Sequence, residues 1–145
     1  MASDNGFIAP SSLPSSPVEW TIFDGGGARK MPAFSGGFGT AEGTVTVFEA
    51  PIAGFDSWGY DIQLWGWSSN DNVEVKFETS SGAAVASAYG SFYSGTDYVA
   101  ASTQAYPVLT PKLLVKVFIQ NYSGTSSEGF VNVQVFARRT SNDGY

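Results

Sequence analysis

The sequence predicts an all-β protein: a jelly-roll-like β-sandwich of seven to eight antiparallel strands, with an extended N-terminal arm. Three observations lead there. After residue 18, apolar residues recur at almost every second position, the period of a strand with one buried face. No segment sustains the 3.6-residue period of a helix. The 145 residues also include 17 glycines and 15% aromatics against 14% charged residues, the composition of short strands joined by tight turns. A chain of this length is one domain by default and buries roughly 68–70% of its unfolded surface.

Residues 1–17 stand apart in composition, with Pro10, Pro14, Pro17, five serines, and Asp4 as the only charged side chain. Proline at this density favours an extended path and removes ladder donors. Fully extended, the segment reaches roughly 55 Å at ~3.3 Å per residue. Two readings stand: a disordered tail, or an arm that orders on a neighbour through Phe7, Ile8 and Leu13. The organisation is therefore an arm at 1–17 and a single sandwich domain at 18–145.

Within the body, Val18–Phe23 places Val18, Trp20 and Ile22 together. The stretch 24–39 (DGGGARKMPAFSGGFG) is the longest loop. Residues 43–50 alternate until Pro51. In 59–67, Ile62 and Leu64 share one face, while Asp61, Gln63, Trp65 and Trp67 share the other. In 72–79, Val73, Val75 and Phe77 alternate with Glu74, Lys76 and Glu78. Weaker strands occupy 84–93 and 97–103, with parts of 89–107 as loop.

The polar turn at 68–72 predicts an antiparallel pair between 59–67 and 73–79, with Leu64 opposite Val75 and Trp65 opposite Glu74. The tryptophans then lie on the outer face, unless a bulge at Gly66 redirects Trp67. The strands 112–120 and 129–138 read as a closing hairpin. Its core face carries Leu113, Val115, Val117 and Ile119 with Val131, Val133, Val135 and Ala137. Its reverse face carries Leu114, Phe118, Phe130 and Phe136, too apolar a set for ordinary solvent surface.

The chemistry available is narrow. With 7 basic and 13 acidic residues the net charge is −6, which argues against nucleic acid or an anionic membrane as partner. Without cysteine, disulfides and thiolate metal sites are excluded, and without histidine so is every Ser-His or Cys-His catalytic pair. No stretch approaches the roughly 18 apolar residues of a membrane span. The N-terminus has no signal-peptide pattern and Ala2 excludes myristoylation, so a cytoplasmic site of synthesis is expected.

Acid–base work falls to carboxylates, with Asp56, Asp61, Glu74 and Glu78 as candidates. Charges alternating along strand faces are more often solvated surface, and no enzymatic activity is expected. Asp24-Gly-Gly-Gly27 lacks the Lys-Ser/Thr of a phosphate loop and reads as a turn. Asn70-Asp-Asn72 offers oxygens for Ca²⁺ but also the residues of a tight turn. Asn121-Tyr122-Ser123 matches the N-glycosylation pattern in what reads as a hairpin loop. No cofactor or metal is expected.

Trp65 and Trp67, two apart on a strand, stand ~6.7 Å apart, a spacing suited to successive sugar rings or to a protein partner. The plan of a Pro/Ser-rich arm at 1–17, strands over 18–138 and a glycine-rich loop among them resembles the capsid decoration (cement) proteins of tailed phages. That resemblance implies a non-enzymatic virion protein made in the host cytoplasm. It further implies a homo-oligomer, a trimer in many of its members, bound to capsid or other virion proteins. The expected partner-binding residues are Phe7, Ile8, Leu13, Trp65, Trp67, Leu114, Phe118 and Phe136. The alternative is a carbohydrate-binding β-sandwich, or a phage fibre or knob domain, using the tryptophans on a glycan.

Overall fold

A computed structural model of the chain describes residues 18–36, 39–68, 70–92, 97–102 and 105–140. Ten strands appear and, among the described residues, no helix. They are β1 (Val18–Phe23), β2 (Arg29–Lys30), β3 (Ala41–Pro51), β4 (Ser57–Trp65), β5 (Asp71–Glu78), β6 (Ala84–Phe92), β7 (Tyr98–Ala101), β8 (Tyr106–Pro107), β9 (Lys112–Asn121) and β10 (Phe130–Thr140). The eight longer ones lie where alternation places them. Residues 1–17, with Phe7, Ile8 and Leu13, fall outside the described residues.

Two antiparallel sheets form the sandwich. The first runs β1-β10-β4-β7, with β2 also on β10 and β8 also on β4, and the second runs β3-β9-β5-β6. Among strands longer than two residues, only β5 and β6 follow one another within a sheet. Their hairpin is closed by Thr79 N–H to Ala83 O at 2.8 Å and Gly82 N–H to Thr79 O at 2.9 Å. Every other step between these longer strands changes sheet. This is the jelly-roll order, in which, the β5–β6 hairpin apart, the longer strands find their partners far along the chain.

That order corrects two expected pairings. β4 does not pair with β5: its neighbours are β10 on one side and β7 and β8 on the other, with Trp65 opposite Phe130 rather than Glu74. β9 and β10 are not a hairpin either, because β9 lies between β3 and β5 while β10 lies between β1 and β4. The expected core faces are nevertheless correct. Period 2 says which side of a strand is apolar; facing sheets ~10 Å apart and neighbours within one sheet satisfy it equally. The eight-residue connection 122–129 is long enough to arch from one sheet to the other.

The core follows from this alternation. Val73, Val75 and Phe77 of β5 and Leu113, Val115, Val117 and Ile119 of β9 are fully buried against Ile62, Leu64, Val131, Val133 and Val135. At one end an aromatic cluster ties the sheets together. Trp58 stacks on Tyr106 at 4.8 Å, and Tyr60 stacks on Phe77 at 4.7 Å. Burial, then the neighbouring Tyr106, raises the Tyr60 hydroxyl above its ordinary pKa.

Within the stretch expected as a loop, residues 24–36 are more ordered than a loop. Beyond β2, Met31 N–H bonds Gly129 O at 2.8 Å, Ser126 N–H bonds Phe34 O at 2.9 Å, and Ser35 bridges Thr125. Its start is the expected turn. Asp24 Oδ1 accepts from Gly26 N–H at 3.0 Å, and Gly25, Gly26 and Gly27 all take positive φ.

Candidate functional site

The outward side of the first sheet is built from β10, β4 and β7 in register. One row pairs Phe130 with Trp65, the next places Asn132 beside Gln63 and Val99, and the third places Gln134 beside Asp61 and Ala101. Rows two residues apart are ~6.7 Å apart, so the strip is ~13 Å long. Trp65 is half-buried and its indole is nearly parallel to the Phe130 ring, 7° apart at 5.4 Å. Asn132 Nδ2 approaches Gln63 Oε1 at 3.4 Å, a long contact. Burial raises the Asp61 carboxyl above its ordinary pKa, and a hydrogen bond from the Ile62 backbone opposes this.

Two shallow depressions open on this strip. Asp61, Gln63, Asn132 and Gln134 line one of about 200 Å³. Gln63, Leu64, Trp65, Asp97, Tyr98 and Val99 line the other, of about 280 Å³. Gln63 belongs to both. Val99, on the edge strand, is 67% exposed.

Trp67 is not on this face. Gly66 takes φ +78°, in the left-handed region, and the turn sends the next side chain back into the sandwich. Trp67 is 3% exposed, and its Nε1 donates to Phe130 O at 3.2 Å. A Cβ on Gly129 would lie 2.3 Å from the indole, so that glycine makes room for it. The expectation that Trp67 meets a partner is corrected: it is a core residue, and its indole N–H finds an acceptor as a buried indole requires.

The four apolar residues expected on one reverse face are divided between two. Phe130 and Phe136 belong to the outward side of the first sheet, and Leu114 and Phe118 to that of the second. Phe136 is 1% exposed, against the expectation of a partner-binding residue. Its register neighbours are Ile22 and Gly59, and a glycine opposite leaves room for a ring to lie on the sheet. Leu114 and Phe118 are half-buried among Thr44, Thr46, Glu49, Glu74 and Glu78. Lys76 Nζ stands 5.0 Å from the Phe118 ring centre, and Lys116 pairs with Glu78 at 2.8 Å.

The other sequence candidates are placed as plainly. Glu74 and Glu78 face outward from the second sheet, where they line one depression on either side of Lys76. Asp61 faces outward from the first sheet, so it does not converge with them. Asp71 is buried, with Oδ2 accepting from Ser68 N–H at 2.8 Å and Oδ1 from Asn121 Nδ2 at 2.6 Å. It closes a turn rather than offering oxygens to Ca²⁺, and no cluster of three potential metal-ligating residues occurs among the described residues. Asn121 is 2% exposed, and its Oδ1 accepts from Ser123 N–H at 2.7 Å, so the folded chain withholds the sequon amide from a glycan. Asp97 beside Trp65 was missed by the sequence reading, because only the β4–β7 pairing brings it there.

No known protein family matches the chain by sequence, and no curated protein does. Solved structures do resemble it. One is the structure of infectious bursal disease virus, Gx strain, with TM-score 0.53 and 15% identity over 90% of this chain and 35% of that one. Another is a carbohydrate-binding module in complex with beta-1,4-galactotriose, with TM-score 0.49 and 8% identity over 84% of this chain and 88% of that one. A third is the infectious bursal disease virus VP2 subviral particle, with TM-score 0.44 and 15% identity over 88% of this chain and 39% of that one. This chain thus spans about a third of the viral chains it resembles. At 15% identity the likeness to the Gx-strain structure speaks to the fold alone, the all-β sandwich of two antiparallel sheets described above.

Proposed function

We propose that this chain is a non-enzymatic structural virion protein, of the capsid-decoration kind, that assembles through protein–protein contacts as a homo-oligomer, a trimer by preference. The observation that carries this reading is the fold likeness to a chain of a virus, at TM-score 0.53 over 90% of this chain, together with this chain's own jelly-roll strand order. Two features of the chain support it. The sequence has neither histidine nor cysteine, and the Leu114–Phe118 side of the second sheet leaves apolar surface beside charges, as protein interfaces do. In this reading residues 1–17 are the arm that runs over a neighbouring subunit, and the protein resides in the virion.

Sedimentation of the full chain, alone and with candidate virion proteins, tests the proposal. A stable oligomer, or co-sedimentation lost on Leu114→Ser with Phe118→Ser, is expected. A monomer that joins no particle would end this reading.

A further inference from the structure

We propose that the outward strip of β4, β7 and β10 binds a neutral oligosaccharide, with the indole of Trp65 as its stacking platform. The inference does not depend on the assembly role, since Leu114 and Phe118 face outward from the opposite sheet.

The argument begins with the two sides of the indole. Phe130 covers one face at 5.4 Å, and on the other side Trp65 forms a wall of the 280 Å³ depression. A pyranose presents a C–H face to such a wall and hydroxyls around its rim. The groups beside the wall suit those hydroxyls: the Asp97 carboxylate accepts, and the Gln63 amide both donates and accepts. Gln63 also continues into the neighbouring depression with Asp61, Asn132 and Gln134. A second ring placed there meets three amides and one carboxylate.

Among the described residues, the Gln63 and Asn132 amides are held only by one long contact to each other, at 3.4 Å, so a ligand hydroxyl can replace it. Asn132 Oδ1 is buried with no hydrogen-bond partner among the described residues, and a small turn of that amide would bring it into the depression. Apolar surface at one end and mixed donors and acceptors along the rest is the lining expected of a small-ligand site.

The charges select among ligands. Among the described residues no lysine or arginine lines either depression, while Asp61 and Asp97 do. Sialylated, sulfated or phosphorylated glycans are therefore disfavoured. A quaternary ammonium group would want several aromatic walls, and here one indole face is offered. A hydroxyl-rich neutral chain fits the aromatic–amide–amide sequence of rows.

The test is a glycan array probed with the full chain, carrying neutral trisaccharides beside sialylated and sulfated ones, followed by calorimetry on the best neutral binder. Wild type should select neutral glycans. Trp65→Ala should weaken binding about tenfold, the loss of one stacking contact. Asp97→Ala, at an exposed position, should weaken binding with an unchanged melting curve. Leu109→Ser, at an exposed position outside both depressions, should bind as wild type. If Trp65→Ala unfolds, Asp97→Ala decides alone. Preference for acidic glycans, retention of choline in place of sugars, silence of the whole array, or full affinity in the Asp97→Ala variant would each overturn the proposal.

Discussion

The rings of Trp65 and Phe130 lie 5.4 Å apart and 7° from parallel, on opposed residues of two strands separated by 65 positions of sequence. Aromatic pairs of this kind are worth about 0.5–1.5 kcal/mol beyond their buried area. The pair should therefore show coupling of that size in a double-mutant cycle of Trp65→Ala and Phe130→Ala, read from urea midpoints. Additive costs would mean that the contact lends no stability to the β4–β10 register.

Alternation made Trp65 legible and its partner illegible. All eight longer strands could be read from the chain, and so could the core faces of β5, β9 and β10, because burial on one side imposes period 2 locally. Pairing is decided elsewhere. Leu64 meets Val131 rather than Val75 because the chain changes sheet at Gly66, and a single glycine gives the same signal for a bulge, a turn or a crossing. The short strands β2 and β8 have too few residues to show any period. Asp97 and Asn132 join Trp65 and Gln63 only through that long-range order.

Asp71 and Asn121 supply a second prediction. Both are buried at facing positions of β5 and β9, joined at 2.6 Å, and Asp71 also fixes the Ser68 amide. Asp71→Ala leaves the buried Asn121 amide without its acceptor, which costs about 1–3 kcal/mol, while the exposed Ser68 N–H can turn to water. Thermal unfolding should show a loss in that range, larger than that of the half-buried Asn72→Ala. Equal losses would contradict the buried network.

Asp61 predicts a pH dependence. Its folded carboxyl is raised above the ordinary 3.8, chiefly by burial. The folded state then holds the proton more tightly than the unfolded state, so stability falls as pH rises from 3.8 through the raised value, and changes no further above it. Asp61→Asn removes this fall. Wild type and variant should unfold alike in acid, with the variant gaining as pH approaches neutrality. Because Asp61 is partly exposed, the gain should be modest. A difference that shrinks with rising pH would contradict the sign.

Trp67 and Gly129 give the sharpest test of how the chain turns at Gly66. The indole fills the space above Gly129, where a Cβ would come within 2.3 Å of its ring carbons. Gly66 needs its left-handed φ of +78°, but a Cβ there meets the Phe130 ring no closer than 3.4 Å. Gly66→Ala therefore carries mainly backbone strain, about 1–2 kcal/mol. Gly129→Ala must displace a buried indole and break its bond to Phe130 O, so it should cost more than the ~1–3 kcal/mol of ordinary overpacking. Trp67→Ala alone should cost about 3–5 kcal/mol, as large-to-small aromatic changes in a core do. The decisive measurement is the pair: in a Trp67→Ala background the clash has no partner, so adding Gly129→Ala should cost far less than it does in wild type. Tryptophan emission should shift to the red in the Gly129→Ala variant as the indole meets water. Full additivity with unshifted emission would place the indole elsewhere and return Trp67 to the outer face.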